Sequence, residues 1–233
     1  EYRRQRQMCI RDRISRVAQL KLPDFPWDEL TPYAERAKQH PGGLIDLSVG
    51  TPVDPTPQFI QEALRSAANS PKYPLTAGTP ELRAAIKDWA IRELGASGEF
   101  GVLPLIGSKE LVAWLPTLLQ SKTLLYPEIA YPTYLVGGLI AQIKVTAVGF
   151  DAATWPSAEL AWINSPSNPT GRISSDQELN GAINWARNNG VVVSDECYLE
   201  FGSTSKPKSI LAFSGGDNRN LLALHSLSKR SSM

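Results

Sequence analysis

Four residues before its end the chain carries Ser226-Leu227-Ser228-Lys229, and 34 residues upstream of that lysine lies Asp195 in Ser194-Asp195-Glu196-Cys197-Tyr198. The second segment directly follows the apolar run Val191-Val192-Val193. A lysine acting as a neutral amine can condense with an aldehyde. A carboxylate emerging from a buried strand needs a cation, and a protonated ring nitrogen would supply one. A phenol three residues further on can donate to a phenolate oxygen. The alternatives are ordinary ones: a solvated lysine beside Arg230, an aspartate that caps or ion-pairs at a strand end, and a core tyrosine.

Other segments bear on the same chemistry. Asn164-Ser165-Pro166-Ser167-Asn168-Pro169-Thr170-Gly171 is too rich in proline for helix or strand, and a rigid loop can aim the Asn168 amide at the same phenolate oxygen. Gly107-Ser108-Lys109-Glu110 opens a helix whose free amides and dipole favour a phosphate, with the Ser226 hydroxyl available from the opposite side. Serine at such a position is also a plain N-cap. Tyr131, in Ala130-Tyr131-Pro132-Thr133-Tyr134, can stack on a heterocycle or simply pack beside Pro132. Lysine, aspartate, tyrosine and asparagine gathered in one pocket are the groups that hold and activate pyridoxal phosphate. His40 and His225 have no carboxylate or cysteine at metal spacing and read as structural, so no metal is expected.

The elements that must position these groups are legible in the apolar pattern. Strands are expected at Thr123 to Tyr126, Ile143 to Val148, Glu159 to Asn164, Gly190 to Asp195 and Leu221 to Ser226, with helices near Tyr134 to Ile140 and Asp176 to Asn188 between them. This alternation implies an α/β fold: a mainly parallel sheet with helices on both faces. In such sheets ligands bind beyond the carboxyl ends of strands, where Asn168, Asp195, Tyr198 and Lys229 all fall. Further helices are expected at Pro32 to Gln39, after Thr56-Pro57, after Thr79-Pro80, and from Ser108 with Leu111, Trp114, Leu115 and Leu118 on one face. Leu44 to Gly50 reads as a short strand stopped at Thr51-Pro52.

Composition narrows the function classes. The 233 residues are 42% hydrophobic, enough for a substantial core, and no apolar stretch approaches the roughly 20 residues of a spanning helix. The net charge of +1 conceals six arginines against two acids in residues 1–16; without them 18 basic and 21 acidic residues remain, which argues against a nucleic-acid surface. Two cysteines, Cys9 and Cys197, fit a reducing cytoplasm. No G-x-G-x-x-G follows a first strand, which argues against a dinucleotide fold.

Asn168-Pro169-Thr170-Gly171, Ser194 to Tyr198 and Ser226 to Lys229, in that order, resemble the fold-type I pyridoxal-phosphate aminotransferases of class I/II from about Leu22 onward. The resemblance implies Lys229 as the Schiff-base lysine, Asp195 as the pyridine partner, Asn168 and Tyr198 as phenolate partners, and Tyr131 as the stacking aromatic. It implies phosphate contacts from Ser108, Lys109 and Ser226. It further implies that Tyr73 reaches the cofactor of a neighbouring subunit in a homodimer, and that Gly50, with Asn168, lines the substrate carboxylate. Within the family, Phe25-Pro26-Trp27, Asp46 to Asp54, Ile106 to Leu111 and Trp114 to Leu119 are most similar to the actinobacterial succinyldiaminopimelate aminotransferases of lysine biosynthesis. The expected reaction moves the amino group of glutamate to N-succinyl-2-amino-6-oxopimelate. Rivals are another enzyme of this fold, such as an aspartate or aromatic aminotransferase or a carbon–sulfur lyase, and a non-catalytic binding domain. The expected organisation is a disordered leader over 1–20 that reads as non-native, an arm and small-domain segment over 21–50, and a truncated cofactor-binding large domain over 51–233. The small domain and its carboxylate-binding arginine are expected to be mostly missing, leaving a fragment that binds cofactor weakly and is inactive by itself.

Overall fold

The computed structural model describes residues 20–24, 27–50, 52–201 and 207–233. The expected leader lies almost wholly outside them, as do Phe25, Pro26 and Thr51. Contacts divide the chain after Gly43. The first unit contains a 3-10 turn at Asp28–Leu30 and helix α1 at Thr31–Lys38, with Pro32 in its first turn, where a missing N–H costs nothing.

The second unit is built on a five-stranded parallel sheet. Its helices are α2 (Gln58–Ala67), α3 (Pro80–Leu94), α4 (Ser108–Leu118), α5 (Thr133–Ile140), α6 (Asp176–Asn188) and a short α7 (Leu227–Arg230). The strands are β1 (Thr123–Pro127), β2 (Lys144–Val148), β3 (Leu160–Asn164), β4 (Val191–Asp195) and β5 (Leu221–Leu224), in the spatial order β2-β1-β3-β4-β5. Asn164 is paired with Asp195, and Asp195 with Leu224, so these strands end level with one another.

Helix starts follow local chemistry. The Thr79 side chain accepts from the Leu82 N–H at 3.2 Å, and Ser175 and Glu178 form a reciprocal capping box at the head of α6. Gly95, at φ +71°, closes α3 in the left-handed conformation that glycine adopts without penalty.

Side chains alternate across each strand, so two apolar clusters form. Leu125, Ala161, Val192 and Leu221 pack with Ala90 and Leu94 of α3 and Ala182, Ile183, Trp185 and Ala186 of α6. Leu124, Leu160, Trp162, Val193 and Leu224 pack with Val112 and Leu115 of α4 and Tyr134 of α5. Asp195 is two residues beyond Val193 and therefore turns toward the α4–α5 side.

α4 and α5 approach closely because α5 carries Gly137. A methyl at this position would lie 2.8 Å from the Val112 carbonyl oxygen and 3.1 Å from that of Ala113, both backbone atoms of α4. Gly137→Ala is therefore expected to lower stability by about 1–3 kcal/mol, the usual cost of overpacking. Urea unfolding checks it, and an unchanged midpoint would contradict this account of the helix pair.

Two expectations are corrected. Leu44 to Gly50 is irregular and exposed rather than a strand: Ile45, Leu47 and Val49 alternate, but pair with no strand of the described sheet. Alternation alone forms no ladder. In α4 the buried positions are Val112, Leu115 and Pro116, while Trp114 and Leu118 are exposed, so the sheet-facing stripe is rotated from the expected one. Leu111 packs against the cluster as anticipated.

Candidate active site

The groups of the site gather at the carboxyl ends of the strands and at the head of α4. Asp195 ends β4 with only 7% of its surface exposed. Its Oδ2 accepts from the Tyr134 hydroxyl at 2.7 Å and its Oδ1 from the Cys197 N–H at 3.2 Å. Burial, and then the Asp195 charge, push the Tyr134 phenol well above the usual tyrosine range, so it keeps its proton and donates.

The proline-rich loop after β3 is fastened to the same place. Asn164 Nδ2 donates to the Asp195 carbonyl at 2.9 Å, Asn164 Oδ1 accepts from the Asn168 N–H at 2.6 Å, and the Ser165 N–H donates to the Asp195 carbonyl at 3.2 Å. Asn168 thereby reaches Tyr198: its Nδ2 lies 3.5 Å from the phenol oxygen. Burial raises the Tyr198 phenol as well.

Lys229 lies in α7, a single helical turn. Its Nζ sits 5.7 Å from the centre of the Tyr198 ring and 3.4 Å from the Gly50 carbonyl oxygen. Glu196, buried beside Asp195, accepts from the Ile210 N–H at 2.8 Å, and His225 Nε2 lies 3.2 Å from its other oxygen. The Glu196 carboxylate thereby sits between the turn at Ile210 and His225, just ahead of Ser226.

Ser108, first residue of α4, approaches Cys197, whose Sγ lies 3.9 Å from its Oγ. Burial, then Asp195, raise the Cys197 thiol, which therefore stays protonated. Lys109 is exposed beside Ser108. Ser226 caps α7, its Oγ accepting from the Ser228 N–H at 3.2 Å. Tyr131 stands edge-on to Tyr134, with ring centres 6.0 Å apart. Tyr73 is fully exposed, and no contact brings it to this cluster.

Sequence reasoning thus named most of the cluster but assigned no role to Tyr134 or Asn164. The signal for Tyr134 was its place one helical turn after Tyr131 in an otherwise apolar helix. Asn164 showed itself only as a polar residue ending a hydrophobic strand.

The family model for aminotransferase class I and II matches residues 43–233. The chain belongs to that family. As a member of this family it has the fold-type I large domain, and the family's cofactor is pyridoxal 5′-phosphate. It is 48% identical to a probable aminotransferase, Rv1178, of Mycobacterium tuberculosis over 91% of this chain and 53% of that protein. It is 45% identical to the 4-dedimethylamino-4-oxo-anhydrotetracycline transaminase OxyQ of Streptomyces rimosus, over 91% of this chain and 62% of that one. The chain thus spans between half and two thirds of the length of these curated relatives. Among solved structures, an aminotransferase from Staphylococcus aureus superposes with a TM-score of 0.81 at 26% identity, covering 93% of this chain and 61% of that one.

The residues present fit the cofactor. The Asp195 carboxylate is buried, and its hydrogen bonds come from a phenol and a backbone amide, both neutral, which leaves its charge to be met by a cation. A protonated pyridine nitrogen is such a cation. No described helix is long and apolar enough to cross a membrane, and among the described residues no cluster of His, Cys, Asp or Glu could hold a metal ion.

Proposed function

We propose that this chain forms the cofactor-binding part of a pyridoxal-phosphate-dependent aminotransferase that takes the amino group of glutamate and delivers it to N-succinyl-2-amino-6-oxopimelate in the cytoplasm. The observation that carries the catalytic reading is the junction of Lys229, Tyr198 and Asn168 beside a buried Asp195. Likeness to the succinyldiaminopimelate enzymes in the segments Asp46 to Asp54, Ile106 to Leu111 and Trp114 to Leu119 supports the acceptor.

When bound, pyridoxal 5′-phosphate supplies an aldehyde and an electron-accepting ring. Asp195 would hold the proton on the ring nitrogen. Tyr198 and Asn168 would donate to the phenolic oxygen, and Tyr131 would lie against the ring. The N-terminus of α4, with Ser108, Lys109 and Ser226, would hold the phosphate. Lys229 Nζ would anchor the aldehyde carbon at rest, then take the proton from the amino acid's α carbon and return it on the far side of the reaction. Gly50 and Asn168 would meet the substrate carboxylate, and Tyr73, exposed here, would serve the site of a second copy in a homodimer.

A second acceptor reading has its own support. OxyQ, at 45% identity, is named for 4-dedimethylamino-4-oxo-anhydrotetracycline, whose 4-oxo group is a ring ketone. The complete protein, supplied with glutamate and either acceptor, separates them by release of 2-oxoglutarate. We expect kcat/KM to be at least about ten-fold higher for the succinylated oxo acid, a gap of about 1.4 kcal/mol in transition-state binding. The reverse ratio would favour the ring ketone, and pyruvate with sulfide from a sulfur amino acid would point to a lyase.

A further inference from the structure

We propose that Tyr134 is the positioning residue for Asp195, fixing its carboxylate as an acceptor in the orientation that meets the pyridine nitrogen. This rests on the proposed function and adds a residue to it.

Tyr134 is completely buried in the apolar cluster with Val112, Leu115, Leu124, Leu160 and Trp162. A phenol there is costly to leave unpaired, and its hydroxyl reaches one place, Asp195 Oδ2 at 2.7 Å. The other carboxylate oxygen takes the Cys197 N–H. Each oxygen therefore has a donor from a different element, α5 on one side and the turn after β4 on the other, and the carboxylate plane cannot rotate without breaking both. The phenol is itself immobilised. It stacks on Trp162 with ring centres 5.0 Å apart and planes at 25°, and meets Tyr131 edge-on at 84°. Tyr134 thus connects the carboxylate that would pair with the ring nitrogen to the aromatic that would cover the ring.

A group that acts through another is recognised by non-additivity. In the complete protein, Tyr134→Phe keeps the stacked ring and removes the donor. Affinity for pyridoxal 5′-phosphate, measured by titration of the apo form, is expected to fall about ten-fold or more, as for loss of a hydrogen bond to a charged group. In an Asp195→Asn background the same change is expected to cost less than about three-fold, because the carboxylate it acts on is gone. 3-Fluorotyrosine at position 134 offers the same cycle with the packing kept, should the phenylalanine variant fail to fold. It is expected to alter affinity only when residue 195 is the carboxylate. Equal losses in both backgrounds would show a purely structural tyrosine and overturn the assignment alone. A wild-type protein that takes up no cofactor would overturn both the assignment and the function on which it rests.

Discussion

In the complete protein, Lys229→Ala is expected to abolish covalent retention of the cofactor: borohydride treatment should fix pyridoxal phosphate to the wild type at residue 229 and leave none on the variant. Transamination should fall by at least about two to four powers of ten, the range attributable to a positioned proton carrier. On the proposed reading the lysine would have two tasks at different moments, anchoring the aldehyde and carrying the α proton. The Tyr198 ring beside its Nζ bears a phenol that burial keeps protonated. Wild-type rates in the alanine variant, or borohydride labelling at another residue, would sink the assignment.

Asp195→Ala carries the second large effect. A buried ion pair stripped of one member leaves a charge without compensation, at a cost of about 3–5 kcal/mol, or roughly two to three and a half powers of ten in cofactor affinity. The loss should be deeper than for Tyr134→Phe, since the acceptor itself disappears. Titration of the apo form with pyridoxal 5′-phosphate measures it. Undiminished affinity would mean that the ring nitrogen is met elsewhere.

Much of this site was legible because its groups follow features that sequence displays directly. Three valines announce β4, so Asp195 at its end could be placed before any coordinates. The prolines around Asn168 mark a loop between β3 and α6, and the order of the three motifs along the chain gives the order of the junctions. Contacts that depend on how a helix lies against the sheet were not legible. Tyr134 and Asp195 are 61 residues apart, and they meet through the way α5 lies against the sheet. The rotated face of α4 has the same origin: apolar residues occupy more than one side, and periodicity cannot say which side the strands cover. Leu44 to Gly50 shows the converse, a strand-like pattern beside no partner strand.

The sheet gathers its reactive groups one junction at a time, from the head of α4, the turn into α5, the loop after β3, the turn after β4 and the start of α7. No short stretch of polypeptide holds two neighbouring halves of the pocket, and parallel pairing requires distant segments to meet first. Cofactor capture during refolding should therefore lag behind the recovery of helical signal and coincide with the last strand docking, which makes the vitamin a natural stopwatch for the completion of assembly.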